Sequence, residues 1–433
     1  MTMTPSKLHF LIFCTSLLLL TSLSPVTVFS EPLPWDIHPH TTPRSHPILP
    51  DHQPLFNNPY ITDKIRHLNE TLLRGYLQNI TAFGPRKTGT PNCTAAATYL
   101  SQTFTTMGLQ VRLDNWTQDG INGTNIEATL PGANASPVLI ICGHYDCVPA
   151  GPGADDDGSG IAAVLASAAL LKDAHLNHTI RFVCFSGEEQ GLLGSHHYAQ
   201  QQALHNQSIL AVLNADMIGY TENTNDSLLV KIFYDNASTW LYNYTQNISQ
   251  LYTPDINLQV DPMGYTWGSD HNSFWTFGYQ ALFYHEFKFN TYYHSANDTI
   301  IHMNLSYHAH IARLMLATLI DLASQPRPIL RLTSLNGGFG CTATITNAGD
   351  APAVNPVMAI TISPGVFGFF GVSHAWSIQG NLPANGSLTH QCVGFGIGRV
   401  TITITAAAEN LTFVARTATA FELGPLILRL SQT

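Results

Sequence analysis

Residues 138–171 read VLIICGHYDCVPAGPGADDDGSGIAAVLASAALL. The opening Val138 to Ile141 is an unbroken apolar run, the mark of a strand buried on both faces of a parallel sheet. The closing Ser159–Leu171, rich in Ala and Leu, predicts a helix. Strand, loop and helix in that order make half of a parallel crossover unit. The pattern recurs downstream: Ile180–Phe185 and Ile209–Asn214 predict two more buried strands, with a helix over Leu192–Leu204 between them. Strand Leu228–Tyr234, helix Ser238–Leu251, strand Gln280–Tyr284 and a helix over about Ser306 to Ala323 follow. Upstream, helical spacing predicts one helix from an N-cap at Thr62 to about Asn79 and another over Ala95–Met107. Gln110–Asn115 and Asn125–Leu130 alternate like strands. The fold class expected is α/β, a mixed, mainly parallel sheet sandwiched by helices.

Four parts result. Residues 1–30 carry Lys7 and then a mostly apolar Leu8–Leu23, with Val28 and Ser30 small enough to specify cleavage. This predicts a signal peptide removed near Ser30–Glu31, and so a secreted or cell-surface location. Residues 31–60 hold eight prolines and no apolar periodicity, as in a linker or surface arm. The α/β domain occupies 61–326. From Pro326-Arg327-Pro328 the helical pattern stops. Thr342–Thr346, Val357–Ile362, Arg399–Ala406 and Thr412–Ala418 alternate like the strands of a small C-terminal β-sandwich, 327–433.

Export bears on two residue types. Of 7 cysteines, Cys14 leaves with the signal. Cys341 and Cys392 stand alone in the C-terminal part and are the expected disulfide in an oxidising compartment. Cys142, Cys147 and Cys184 lie in or beside buried strands and are expected as packed thiols. Asn-x-Ser/Thr sequons are dense, among them Asn69, Asn79, Asn92, Asn115, Asn122, Asn177, Asn206, Asn236, Asn243, Asn247 and Asn410. Glycans there would solvate a surface that only 11% charged residues leave poor in charge. With 45% hydrophobic residues the chain buries a full core, which excludes a disordered solvating chain. A net charge of -10 argues against nucleic acid as a partner. No stretch after the signal is long and apolar enough to span a membrane.

In an open parallel sheet, ligands bind beyond the carboxyl ends of the strands. Here each end delivers an acid or a histidine: Gly143-His144-Tyr145-Asp146, then Asp155-Asp156-Asp157, Glu188-Glu189, Asp216, and His294 to Asp298. Any one of these is unremarkable, since His numbers 20 and acidic loops are commonly solvated. Together they are a cluster that must be neutralised by cations. Imidazoles with carboxylates suit Zn²⁺ over Ca²⁺ or Mg²⁺, and the donors exceed what one tetrahedral ion needs, which points to two.

The same stretches, with SGEEQGLLGS (186–195), LNADMIGY (213–220) and Ser269-Asp270-His271, resemble the secreted two-zinc aminopeptidases of metallopeptidase family twenty-eight. The likeness covers about Thr62 to Ala323. It implies that Asp156 bridges two zincs, that His144 and Asp216 complete one site, and that Glu189 and His294 complete the other. It implies Glu188 as general base, Asp146 as the residue orienting His144, and a cis peptide at Asp156–Asp157. A hydroxyl that polarises the substrate carbonyl would be either Tyr293 or Tyr265. The substrates implied are peptides, trimmed from the N-terminus. A related zinc carboxypeptidase, dipeptidase or glutaminyl cyclase, and a non-catalytic receptor or scaffold, are the alternatives. A scaffold predicts lost ligands, and all five are present. The stretch between Asp216 and His294 is filled by elements of the main sheet, leaving no room for an inserted lid domain. Side-chain preference and oligomeric state are not written in the sequence.

Overall fold

A computed structural model describes residues 57–433 except 327, 329, 350, 365–371, 378–379, 409–410 and 433. The expected signal peptide and nearly all of the expected Pro-rich arm lie outside the described residues. Helices α1 (Pro59–His67), α2 (Glu70–Thr81) and α3 (Pro91–Thr106) lead into the hairpin β1 (Gln110–Gln118) and β2 (Ile121–Leu130). Then come β3 (Asn134–His144), α4 (Gly158–Leu171), β4 (His178–Phe185), α5 (Leu193–Leu204) and β5 (Ile209–Ala215). The domain ends with β6 (Leu229–Phe233), α6 (Thr239–Leu251), α7 (Thr253–Ile256), β7 (Gln259–Gly264), α8 (His271–Thr276), β8 (Ala281–Glu286) and α9 (Leu305–Ser324).

The eight strands make one sheet, ordered β1-β2-β4-β3-β5-β8-β6-β7. Its centre, β4-β3-β5-β8, is parallel, and antiparallel pairs join β1, β2 and β6 to it. The continuous apolar runs follow from this. On β3, Leu139 and Ile141 face one core, with α4 and α9, while Val138, Ile140 and Cys142 face another, with Tyr198 of α5 and Phe274 of α8. Side chains alternate across a strand, so a strand covered on both faces is apolar at every position. Each buried Ile or Leu contributes about 1.5–3 kcal/mol.

Two expectations change. The single helix over Thr62–Asn79 is two, because Asn69 caps α2 by accepting from Leu72 N–H at 3.0 Å and Leu68 is extended. A side-chain oxygen at that position offers the amide an alternative to continuing the helix. The first helix also starts earlier, at Pro59 behind Asn58. Strand β7 was not expected at all. It is an edge strand holding Pro262 and ending at Gly264, residues that hide the strand pattern and are tolerated where one side of the ladder is unpaired.

Beyond α9 the chain is β-rich. A six-stranded sheet and a three-stranded sheet share one core, in which Ala343 and Ile345 of one meet Ile360, Ile402 and Ile404 of the other. Cys341 and Cys392 are direct partners in the antiparallel register of Cys341–Asn347 with Ser387–Cys392, and both are buried. Their thiols are unbridged in the structure. Cys142, Cys147 and Cys184 are buried free thiols as expected.

Candidate metal centre

The parallel register brings the strand ends level: His144 lies opposite Phe185, and Ala215 opposite Tyr284. The residues that follow therefore converge on one rim. His144 Nε2 lies 3.3 Å from Asp156 Oδ1, 3.6 Å from Asp216 Oδ1 and 3.9 Å from Glu188 Oε2. His294 Nε2 lies 3.1 Å from Asp156 Oδ2 and 3.0 Å from Glu189 Oε2. Two donor trios result, each within 4.8 Å: His144, Glu188, Asp216 and Asp156, Glu189, His294. Asp156 presents one carboxylate oxygen to each imidazole. All seven residues singled out in the sequence are gathered here.

Three consecutive aspartates have three separate fates. Asp155 is fully buried, its carboxylate accepting from Gly219 N–H at 2.8 Å and from Asn290 Nδ2 at 2.7 Å. Asp157 accepts from His144 N–H at 3.0 Å and from Gly160 N–H at 2.8 Å, capping α4. Only Asp156 faces the imidazoles. The Asp156–Asp157 peptide is cis. Gly160 is required by this packing, since an added Cβ would meet the Asp157 carboxylate and the Ala215 carbonyl oxygen. Gly160→Ala should therefore destabilise the fold by about 1–3 kcal/mol, the usual cost of overpacking. Thermal unfolding checks this, and an unchanged Tm would refute it.

Asp146 lies against His144. The ring Nδ1 of His144 lies 3.1 Å from the backbone carbonyl of Asp146 and 3.7 Å from its carboxylate. The carboxylate instead accepts from Glu188 N–H at 3.3 Å, so Asp146 links the strand end of His144 to that of Glu188. Glu189 is anchored in turn by Val148 N–H at 3.1 Å.

Charge in the cluster is uneven. Burial pushes the Glu188 carboxyl well above its ordinary range; His144 opposes this, while Asp216 and Asp270 add to it. Burial and the neighbouring Asp156 push Glu189 up to about 7. For Asp156, burial is outweighed by the two imidazoles beside it, His144 and His294, which hold it well below the carboxylate range. Burial disfavours charge on His144, but Glu188 and Asp216 outweigh it and raise the pKa well above normal. His144 Nε2 and Asp156 Oδ2 are also buried with no hydrogen-bond partner among the described residues. A nitrogen and an oxygen left this way, among acids short of cations, are the donor set that zinc takes.

The two candidate hydroxyls separate. The ring of Tyr293 stacks on His294 with centroids 3.6 Å apart. Burial and the carboxylates of Asp156 and Glu189 raise its hydroxyl pKa, and the residue is 39% exposed. Tyr265 is 66% exposed and donates to Asn272 Oδ1 at 3.1 Å. Sequence reasoning missed Arg86 and Thr88. Arg86 is fully buried and donates to the backbone carbonyls of Tyr145 (2.8 Å), Pro152 and Gly153 (3.1 Å), pinning both ends of the loop between His144 and Asp156. Thr88 Oγ1 accepts from Gly187 N–H at 2.8 Å, beside Glu188. The signal that would have found them is a cation in Gly84-Pro85-Arg86-Lys87-Thr88-Gly89, a segment flanked by two helices.

Comparison with known proteins agrees with this geometry. The sequence model of Peptidase family M28 matches residues 125–319. A probable leucine aminopeptidase of Arthroderma otae is 30% identical over 218 residues, which is 47% of this chain and 58% of that protein. The chain thus spans little more than half the length of that curated relative. Among solved structures, the LapA aminopeptidase of Legionella pneumophila superposes with a TM-score of 0.56 at 23% identity, covering 63% of this chain and 78% of that one. A zinc aminopeptidase from Bacillus subtilis superposes with a TM-score of 0.53 at 15% identity, covering 60% and 96%. At these identities the structural likeness establishes the fold. The matched sequence adds that residues 125–319 are similar to peptidase family M28.

Proposed function

We propose that the chain is a secreted two-zinc exopeptidase that removes N-terminal residues from peptides. The observation that carries this reading is the single carboxylate of Asp156 set between two imidazoles, each completed by further carboxylates. In this reading His144, Asp156 and Asp216 hold one zinc, and Asp156, Glu189 and His294 hold the other. Two zincs held there would supply Lewis acidity, polarising a scissile carbonyl and drawing the pKa of water down towards about 7.

The chain's own residues do the rest. Glu188 is the proton acceptor, and it then returns the proton to the leaving amine. Asp146 holds the Glu188 backbone in place. Tyr293, whose ring stacks on His294, is the hydroxyl that would contact the carbonyl oxygen in this reading. The site is lined by the carboxylates Asp146, Asp156, Glu188, Glu189 and Asp216, which suit a substrate's cationic N-terminus better than its anionic C-terminus, and the named relatives are aminopeptidases. Mass spectrometry of a digested peptide tests the direction of attack. We expect stepwise loss from a free N-terminus and none from an N-acetylated copy. Loss from the C-terminus would overturn the aminopeptidase reading.

Export rests on residues 1–30, and with it glycosylation and a Cys341–Cys392 bridge. N-terminal sequencing of the mature protein should begin near Glu31. Peptide mapping without reductant should recover Cys341 joined to Cys392; two free thiols would refute the bridge. Among the described residues no helix is long and apolar enough to cross a membrane.

A further inference from the structure

Asp298 lies four positions after His294 and is 3% exposed. It contacts none of the metal-donor atoms. Three successive backbone N–H groups of the aspartate loop nevertheless end on it. Ala154 N–H donates to its backbone carbonyl at 3.3 Å. Asp155 N–H donates to its Oδ1 at 2.9 Å, and Asp156 N–H to its Oδ2 at 3.1 Å. Its own N–H donates to Ser295 O at 3.1 Å, closing the turn Ser295–Asp298 that directly follows His294. Consecutive amides wrapped around a carboxylate form a concavity with a fixed geometry.

We infer that Asp298 is the positioning residue that fixes Asp156 relative to His294, and so sets the affinity of the metal position those two share with Glu189. The inference rests on the two-metal reading above. Its physical basis is an asymmetry in support. His144 and Asp216 are held by β3 and β5, and their spacing comes from the parallel sheet. His294 sits on a loop beyond β8 with its backbone in the left-handed region, φ +53°. No strand pairing sets its distance to Asp156. The bidentate carboxylate of Asp298 does so, since it is held to the His294 turn at one end and to the Asp156 amide at the other. An Asn in its place keeps the volume but turns an N–H₂ towards one of the two loop amides, donor against donor. The loop then gives way on the side of His294.

The test is zinc binding by Asp298→Asn, measured without substrate by metal analysis across a zinc-buffer series. Outer partners of metal ligands are typically worth about 10–100-fold in affinity. We expect one zinc to bind as in the wild type and the other about 10–100-fold more weakly. At limiting zinc kcat should fall with KM little changed, and excess zinc should restore it. Ser295→Ala, which alters the same turn but leaves the carboxylate, should keep both affinities. Two zincs at wild-type affinity in Asp298→Asn would overturn the inference. So would equal weakening of both, or loss of the folded protein, since either would assign Asp298 to the fold as a whole. A wild type that binds fewer than two zincs would instead count against the two-metal reading, which keeps the two failures apart.

Discussion

Glu188→Gln should lower kcat by about 10²–10⁴-fold and leave the zinc content unchanged. The substitution keeps the shape of the side chain and removes its ability to accept a proton, and general-base catalysis typically contributes that factor. The surroundings favour a clean result. The Glu188 backbone is held by Asp146 Oδ1, and the preceding Gly187 by Thr88 Oγ1. Gly187 has φ +79°, and an added Cβ would strike the Trp116 ring, so the elbow is fixed independently of the Glu188 carboxylate. The structure also leaves a definite way to fail. Glu188 Oε2 lies 3.9 Å from His144 Nε2, within the trio that includes Asp216. If Glu188 is a ligand there, the Gln variant will bind one zinc fewer. Kinetics on a peptide anilide, with metal analysis of the same sample, separate the two outcomes.

Asp156→Asn should abolish both metal positions, and activity with them. Asp156 is the one residue that approaches both imidazoles, and an amide would present an N–H₂ group to one of them. Losing an outer partner typically weakens a metal site by about 10–100-fold, and losing the shared inner carboxylate should exceed that at each position. Dialysed Asp156→Asn protein should hold less than one zinc per chain, while Asp155→Asn, whose carboxylate accepts from Gly219 and Asn290, should not lose the metal pair. Retention of two zincs by Asp156→Asn would move the bridge to another residue.

Much of this was legible in the sequence, for identifiable reasons. Strands β3, β4 and β5 are covered on both faces, so their apolar runs admit little else, and their ends fix where His144, Glu188, Glu189 and Asp216 emerge. The choice among Asp155, Asp156 and Asp157 was not legible from chemistry, because three identical side chains differ only in where the backbone aims them. It came from the resemblance, and the hydrogen bonds of Asp155 and Asp157 show its physical basis. Strand β7 was hidden because edge strands tolerate Pro262. The break at Asn69 was hidden because helical spacing of apolar residues continues across it. Arg86 was missed because its partners are backbone carbonyls, which carry no sequence signature.

The central claim is that two zincs are held around Asp156 and are needed for peptide cleavage. Stepwise return of zinc to chelator-stripped protein, with bound metal and hydrolysis of an unblocked leucyl anilide followed together, tests it most directly. The account predicts an inactive metal-free protein and saturation at two zincs per chain, with full activity only as the second binds. Full activity at one zinc per chain, or in the metal-free protein, would contradict it.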